Sequence, residues 1–214
     1  MNKRKKWLVI VPIILFAMLA VCIQAKRSAP FDEWAYSKAA EGISPNLTMM
    51  MKRITHIGDS TVIIIFCLAL FIVPKLRRTI ALPVSITMIS SAIFNIVLKR
   101  IFARSRPNIL QLISETGYSF PSGHAMNNAA LYTMLILLIW RYFKNTSLKI
   151  TLSLVCAVMT VLIGYSRVYL GVHYADDVLG GWLFGFAISI LVYLLWDNKL
   201  SNKNTKLKVP QERN

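Results

Sequence analysis

Two histidines and one aspartate are the residues of this chain best suited to covalent chemistry. His173 and Asp177 are four residues apart, so a helix would place them on one face. A carboxylate can accept a hydrogen bond from one imidazole nitrogen, which fixes the tautomer and leaves the other nitrogen free to attack. The second histidine, His124, can protonate a leaving oxygen. These three residue types indicate group transfer through a covalent intermediate.

Three basic side chains are suited to binding a phosphate group. Lys99, Arg106 and Arg167 carry positive charge, the lysine as a point charge and the arginines as planar forks that match phosphate oxygens. Together with the histidines they provide a nucleophile, an acid and an electrostatic clamp, which is the set that phosphoryl transfer requires.

A short turn before His124 adds backbone groups to this set. The four residues that end at His124 read Pro-Ser-Gly-His. We predict that Ser122 caps a helix that starts there, and N–H groups at a helix start bind anions. Gly123 allows a close approach to the backbone. Ser122 and Gly123 therefore join the predicted phosphate-binding residues.

The composition places these residues in a membrane protein. The chain has 214 residues, of which 56% are hydrophobic and 16% charged, whereas soluble domains are about 45–50% apolar and about 25% charged. The apolar residues form blocks long enough to span a bilayer, without the alternation of a membrane β-barrel. We predict an all-α, polytopic membrane protein with six transmembrane helices in a single membrane domain, residues 1–214.

The predicted boundaries follow the charges between the apolar blocks. The six spans are expected at about residues 7–25, 56–74, 79–98, 124–141, 149–166 and 178–196. The first block is longer than the roughly 7–15 residues of a signal-peptide core, so we interpret it as an uncleaved anchor.

The segment 26–55 lies between the first two spans. Leu47, Met50, Met51 and Ile54 follow helical spacing, which is typical of an amphipathic helix. We predict short interfacial helices beside the site, acting either as a lid or as a structural cap. Residues 197–214 are polar and are predicted to form a cytoplasmic tail.

The distribution of basic residues predicts the orientation. With six spans, fifteen of the 25 Lys and Arg residues share the side of the two termini and ten lie on the other side. The positive-inside rule then places both termini in the cytoplasm and the candidate site on the extracytoplasmic face of the cell membrane.

The remaining charges and the cysteines indicate no other partner. The net charge of +16 is mostly juxtamembrane Lys and Arg, which attract anionic lipid; we expect no nucleic-acid partner and no obligate protein partner. The three cysteines show neither metal-ligand nor disulfide spacing. We interpret Arg104 as an interfacial anchor and Asp59 and Glu115 as structural residues, outside the site.

Topology brings the candidate residues to one surface. Lys99 follows the end of the third span, His124 begins the fourth, Arg167 follows the fifth, and His173 and Asp177 precede the sixth. Consecutive spans alternate in direction, so all these ends lie on the same side of the membrane.

The spacing of these residues resembles that of the type-2 phosphatidic acid phosphatase superfamily. Three signatures occur in order: Lys, six residues, Arg-Pro from Lys99; Pro-Ser-Gly-His ending at His124; and Ser-Arg, five residues, His, three residues, Asp ending at Asp177. The resemblance covers roughly residues 79–196 and points to the bacterial phosphatidylglycerophosphate and undecaprenyl pyrophosphate phosphatase branch.

The resemblance implies a role for each residue. His173 would form a phosphohistidine, Asp177 would orient it, and His124 would be the general acid. The phosphoryl oxygens would be held by Lys99, Arg106, Arg167, Ser122 and Gly123. The resemblance further implies that no metal ion or other cofactor is needed.

We therefore expect a membrane enzyme that hydrolyses the phosphomonoester or pyrophosphate of a lipid. Candidate substrates are phosphatidylglycerol phosphate, phosphatidic acid and undecaprenyl pyrophosphate. A lipid phosphotransferase would use the same residues and stays open. A vanadate-binding peroxidase is disfavoured in a chain made mostly of spans. A non-catalytic lipid-binding relative would have lost a histidine that is present here.

Overall fold

A bundle of helices makes up the protein. The computed structural model describes the backbone of residues 3–206 and the side chains of residues 6–198. The eight α-helices of this part are α1 (Lys3–Gln24), α2 (Ala29–Ala40), α3 (Pro45–Ile57), α4 (Ser60–Ile72), α5 (Leu82–Phe102), α6 (Gly123–Tyr142), α7 (Thr146–Tyr169) and α8 (Ala175–Lys206). A 3₁₀ turn (Pro74–Leu76) and a π turn (Arg77–Ala81) lead into α5. Residues 3–206 contain no β-strand, so the all-α prediction is confirmed.

Helix α6 lies at the centre of the bundle. It packs against α5, α7 and α8, and α1 packs on the outer side of α8. Met126, Ala129, Ala130 and Met134 on α6 are fully buried. Helices α5, α7 and α8 therefore surround α6, and the residues of its first turn lie at one end of the bundle.

Two glycines of α8 allow its backbone to pack directly against the backbone of α6. A Cβ atom added to Gly181 would lie 2.8 Å from the carbonyl oxygen of Ser122, and one added to Gly185 would collide with the carbonyl oxygen of Met126. Small residues one helical turn apart are a common device for close helix packing in membranes. This contact fixes the start of α8 against the start of α6.

The structure supports a membrane protein but not the full number of spans. Within residues 3–206, four stretches are long and apolar enough to cross a membrane: Lys6–Gln24, Pro74–Phe102, Thr146–Tyr169 and Ala175–Asn198. Helices α3 and α4 give a fifth only if the pair is taken as one bent span, with a 44° bend. Helix α6 is not among these long, apolar stretches. Its polar residues Asn127 and Asn128 form hydrogen bonds with neighbouring parts of the bundle.

The segment predicted as a span at about 56–74 contains a break near its start. The helix breaks at Gly58 and Asp59, where Asp59 is extended with φ −65° and ψ 143°. The carbonyl oxygen of Gly58 accepts a hydrogen bond from Asn128 Nδ2 at 3.0 Å, so the break is held against α6. Helix α4 then runs for only 13 residues.

The segment 26–55 forms two helices that pack on the bundle. Met51 of α3 and Ala39 of α2 are buried in one cluster with Tyr169 at the end of α7. Of the residues predicted from their spacing to share one helix face, Met51 is buried whereas Met50 is exposed.

At the other end of the chain, α8 continues as a helix through Lys206, into the segment predicted as a tail from residue 197. Residues 207–214 lie outside the described part.

We predict that Gly185→Ala destabilises the bundle. The new methyl group would press on the α6 backbone, which cannot move aside as a side chain can, and overpacking of this kind costs about 1–3 kcal/mol. The thermal unfolding midpoint in detergent should fall. Gly42→Ala is the matched control, because the nearest atoms to its added Cβ lie at 3.5 and 3.6 Å; an equal fall in both variants would contradict the packing argument.

Candidate active site

The predicted site residues lie at one end of the bundle. Lys99 is in the last turn of α5, Arg167 in the last turn of α7, and Ser122 caps α6. His173 lies in the turn between α7 and α8, and Asp177 in the first turn of α8. The connection 103–122 crosses the same end and contributes Arg106.

His173 and Asp177 form a buried imidazole–carboxylate pair. His173 Nδ1 lies 3.2 Å from Asp177 Oδ2, and the two residues are 3% and 0% exposed. A carboxylate only accepts hydrogen bonds, so Nδ1 carries the proton and Nε2 keeps its lone pair. Nε2 faces the Arg106 guanidinium, with Nη1 at 3.3 Å. The free imidazole nitrogen therefore points at the group expected to hold a phosphate.

Burial keeps the His173 imidazole neutral. Removal from water lowers the pKa of His173 to about 4, and the attraction of Asp177 offsets this only in part. An unprotonated imidazole is the form that attacks phosphorus. At neutral pH His173 is therefore in the protonation state that its predicted role as nucleophile requires.

Four donors satisfy the buried Asp177 carboxylate. Oδ1 accepts from Arg104 Nη1 at 2.8 Å. Oδ2 accepts from His173, from the backbone N–H of Tyr174 at 2.9 Å and from the Ser119 hydroxyl. These four hydrogen bonds hold the Asp177 carboxylate in place, and Asp177 in turn orients the His173 imidazole.

Arg104 connects this carboxylate to helix α2. Its Nη2 donates to Asp32 Oδ2 at 2.7 Å, and its guanidinium stacks on the Tyr174 ring at 4.1 Å from the centroid. Asp32 also accepts from the backbone N–H of Asp176 at 3.0 Å. The interpretation of Arg104 as an interfacial anchor is wrong, since it bridges two buried carboxylates.

Arg106 and Arg167 form an anion-binding cradle that already holds a carboxylate. Glu115, on the connection, forms an ion pair with Arg167 and lies 3.8 Å from Arg106 Nη2. Burial acts to raise the pKa of Glu115, but the two arginines outweigh it, so its pKa lies below the ordinary value. The interpretation of Glu115 as a structural residue outside the site is therefore wrong.

Arg167 retains a donor for a further ligand. Its side chain is almost fully buried, and Nη1 donates to Thr55 Oγ1 at 2.7 Å. Its Nε is buried without a hydrogen-bond partner in the described part of the chain. Buried donors of this kind are rare in proteins, and a phosphate oxygen would satisfy this one.

Near the cradle, Lys99 and Ser122 form hydrogen bonds with backbone groups, and Gly123 allows a close approach of Asn95. Lys99 Nζ donates to the carbonyl oxygen of Ser119 at 3.3 Å and to that of Tyr118. Ser122 is the N-cap of α6, as predicted, and its backbone N–H donates to the carbonyl oxygen of Asp177 at 2.9 Å. A Cβ on Gly123 would lie 3.1 Å from Asn95 Oδ1.

His124 contacts a different carboxylate. Its Nε2 lies 2.8 Å from Asp59 Oδ1, at the break between α3 and α4. Arg167 and Glu115 are charged groups near enough to act on its imidazole. The interpretation of Asp59 as a residue outside the site is wrong, because it partners the predicted acid.

Five residues that contact the site through long-range pairing were not predicted from the sequence to belong to it. Asp32, Asp59, Arg104, Glu115 and Ser119 have no periodic or motif signal of their own. Arg104 lies 72 and 73 positions from its two carboxylate partners, so only the packed bundle identifies them. Within the described residues, no group of three or more His, Cys, Asp or Glu side chains is arranged to hold a metal ion.

We predict that Arg104→Met strongly destabilises the protein. It would leave Asp32 and Asp177 buried without their shared cation, and breaking a buried pair costs about 3–5 kcal/mol. The measurement is the thermal midpoint in detergent, with Arg100→Met as control, because Arg100 is exposed on the last turn of α5. Similar midpoints for the two variants would refute the bridging role.

Known proteins share both the sequence pattern and this fold. Phosphatidylglycerophosphatase B of Bacillus subtilis is 36% identical over 185 residues, which cover 84% of this chain and 90% of that protein. Undecaprenyl-diphosphatase of Sulfolobus acidocaldarius is 27% identical over 199 residues, 89% of this chain and 91% of that protein.

A solved structure and a family model agree with these relatives. The crystal structure of a transmembrane PAP2-type phosphatidylglycerolphosphate phosphatase from Bacillus subtilis superposes with a TM-score of 0.78 at 30% identity, covering 97% of this chain and 100% of that chain. The model of the PAP2 superfamily matches residues 80–201, the part that contains α5, α6, α7, most of α8 and nearly all of the site. The chain is therefore a multi-pass membrane protein that belongs to the PAP2 superfamily.

Proposed function

We propose that this protein is a membrane lipid phosphatase that hydrolyses a lipid phosphomonoester or pyrophosphate through a phosphohistidine at His173. The observation that carries the proposal is the anion cradle beside the free nitrogen of the nucleophile. Arg106 Nη1 lies 3.3 Å from His173 Nε2, and Arg106 Nη2 lies 3.8 Å from Glu115 Oε2. A phosphate group in the place of the Glu115 carboxylate would meet the same two arginines and the unpaired Nε of Arg167.

The reaction has two steps, formation and hydrolysis of the phosphohistidine. In the first, His173 Nε2 forms a bond to phosphorus, the bond to the leaving oxygen breaks, and that oxygen takes a proton from His124. In the second, His124 takes a proton from water, the hydroxide attacks phosphorus, and the bond to His173 breaks. Asp177 stabilises the positive charge that His173 carries between the two steps, and the arginines stabilise the phosphoryl oxygens.

The chain needs no metal ion in this scheme. Lys99, Arg106 and Arg167 provide the positive charge that a divalent ion would otherwise supply to the phosphoryl oxygens. The expected substrates are phosphatidylglycerol phosphate and undecaprenyl pyrophosphate, as the names of the relatives suggest, and phosphatidic acid. The acyl or prenyl chain would stay in the bilayer while the phosphate enters the cradle.

We propose a six-span topology for this arrangement. The two additional spans would be the bent pair α3–α4 and helix α6. Helix α6 can carry polar residues because its neighbours, rather than lipid, surround it. Both termini would then be cytoplasmic, the site extracytoplasmic, and α2 would lie at the outer surface.

A phosphotransferase that passes the phosphoryl group to an acceptor lipid would use the same residues. It would differ only in the second step, where an acceptor hydroxyl would replace water. No contact in the described residues favours an acceptor over water, so hydrolysis is the function we propose.

We predict phosphate release from purified protein in detergent, with the three lipids above compared as substrates. His173→Gln should lower kcat by at least about 10³-fold and abolish base-stable, acid-labile phosphoryl labelling, since it removes the nucleophile. His56→Gln is the histidine control for labelling, because the exposed His56 ring lies outside the cradle. Labelling that persists in His173→Gln would refute the assignment, as would loss of activity in a chelator that Mg²⁺ restores.

We predict that the end of the bundle carrying the site faces outward. Exposed positions at the two ends, Glu41→Cys in the α2–α3 turn and Lys144→Cys in the α6–α7 turn, would be tested with the native cysteines replaced by alanine. A membrane-impermeant maleimide should label Glu41→Cys in intact cells and Lys144→Cys only after permeabilisation. The reverse pattern would invert the topology.

A further inference from the structure

We propose that Asp59 is a positioning residue that orients the general acid His124, so that the site contains two imidazole–carboxylate pairs. This inference rests on the proposed function, because it assigns a role within the same reaction. The relevant geometry is a short chain of contacts. Asp59 Oδ1 lies 2.8 Å from His124 Nε2, and Asp59 Oδ2 lies 2.7 Å from His56 Nδ1.

The position of Asp59 in the fold would normally give it another task. It is the residue before α4, where an aspartate usually accepts a hydrogen bond from a backbone N–H of the first turn. Asp59 makes no such capping bond. Its Oδ1 instead contacts the His124 imidazole and its Oδ2 the exposed His56 imidazole, so the carboxylate is directed toward the site by one oxygen and does not cap its own helix.

The break between α3 and α4 is docked on the turn of α6 that carries His124. Asn128, one turn after His124, donates from Nδ2 to the carbonyl oxygens of Gly58 at 3.0 Å and His124 at 2.9 Å. A Cβ on Gly58 would lie 2.7 Å from Asn128 Nδ2 and 2.7 Å from Ile163 Cγ2. Gly58 therefore allows the close contact that brings Asp59 within reach of the imidazole.

The contact with Asp59 decides which nitrogen of His124 can transfer a proton. A carboxylate only accepts, so Nε2 carries a hydrogen that it donates to Asp59. Nδ1 is then the nitrogen that exchanges protons with the substrate. In the first step the leaving oxygen takes the Nδ1 proton of the imidazolium, and the neutral ring that remains keeps its Nε2 proton on Asp59.

The surrounding charges define the electrostatic setting of this pair. Asp59 and Glu115 are the anionic groups that act on the His124 imidazole, and Arg167 is the cationic one. His56 contacts the far oxygen of Asp59, and its side chain is 74% exposed. Asp59 counters the effect of Arg167, so it stabilises the protonated ring that the first step requires.

The test compares two phosphate esters that differ in their need for an acid. Dioctanoyl phosphatidic acid releases an alcohol, whose oxygen needs a proton, whereas p-nitrophenyl phosphate releases a phenolate that is stable without one. The measured quantity is kcat/KM, which reports the steps up to formation of the phosphohistidine. It excludes the later hydrolysis step, in which His124 acts with either ester.

We expect Asp59→Asn to lower kcat/KM for the lipid ester by about 10²-fold, within the range of general acid catalysis, and for p-nitrophenyl phosphate by less than about 3-fold. Asp59→Glu should recover part of the loss, because it keeps the carboxylate. Asp197→Asn, an aspartate paired with Arg141 at the opposite end of the bundle, should leave both values unchanged. If Asp59→Asn does not fold, the smaller loss expected for Asp59→Glu should likewise be confined to the lipid ester, and an equal loss with both esters would contradict the proposal.

A double-variant cycle with His124→Asn completes the test. If Asp59 acts through His124, the double variant should be no slower with the lipid ester than His124→Asn alone. Equal losses with both esters, or additive losses in the cycle, would overturn the role of Asp59. Failure of the proposed function is a separate result, in which the unaltered protein releases phosphate from neither ester.

Discussion

A carboxylate without solvent contact is the constraint on which this site depends. Asp177 is 0% exposed, and a buried charge is stable only when it is paired and fully hydrogen-bonded. The required donors come from two parts of the chain: Arg104 and Ser119 from the long connection, and His173 and the backbone of Tyr174 from the turn before α8. These hydrogen bonds hold the connection against the start of α8 and, in the same arrangement, orient His173, the proposed nucleophile.

Charge balance explains the rest of the site. The cations Lys99, Arg106 and Arg167 lie near enough to repel one another, and such a cluster is costly without counter-ions. Asp32 and Asp177 balance Arg104. Glu115 balances the cradle arginines. The Glu115 side chain is 29% exposed on an irregular connection whereas Asp32 and Asp177 are buried, so in the proposed function it is the carboxylate that a substrate phosphate would replace.

The two histidines have contrasting environments that suit different tasks. His173 is almost fully buried, and burial holds it neutral as a nucleophile must be. The His124 side chain is 20% exposed and pairs with a carboxylate that is itself 37% exposed. The two imidazoles therefore differ in their carboxylate partner and in their access to solvent.

The sequence by itself determined the features that depend on local order. Apolar blocks specified helices, the four-residue spacing of His173 and Asp177 specified their pairing, and the alternation of spans brought Lys99 and Arg167 to one end. Tertiary structure decided which carboxylate meets which cation or imidazole. Arg104 meets Asp177 across 73 positions, and Asp59 meets His124 across 65. The break at Gly58 was likewise invisible in hydropathy, because it depends on Asn128 of another helix. Such contacts follow from how rigid helices pack in three dimensions, and no spacing along the chain encodes them.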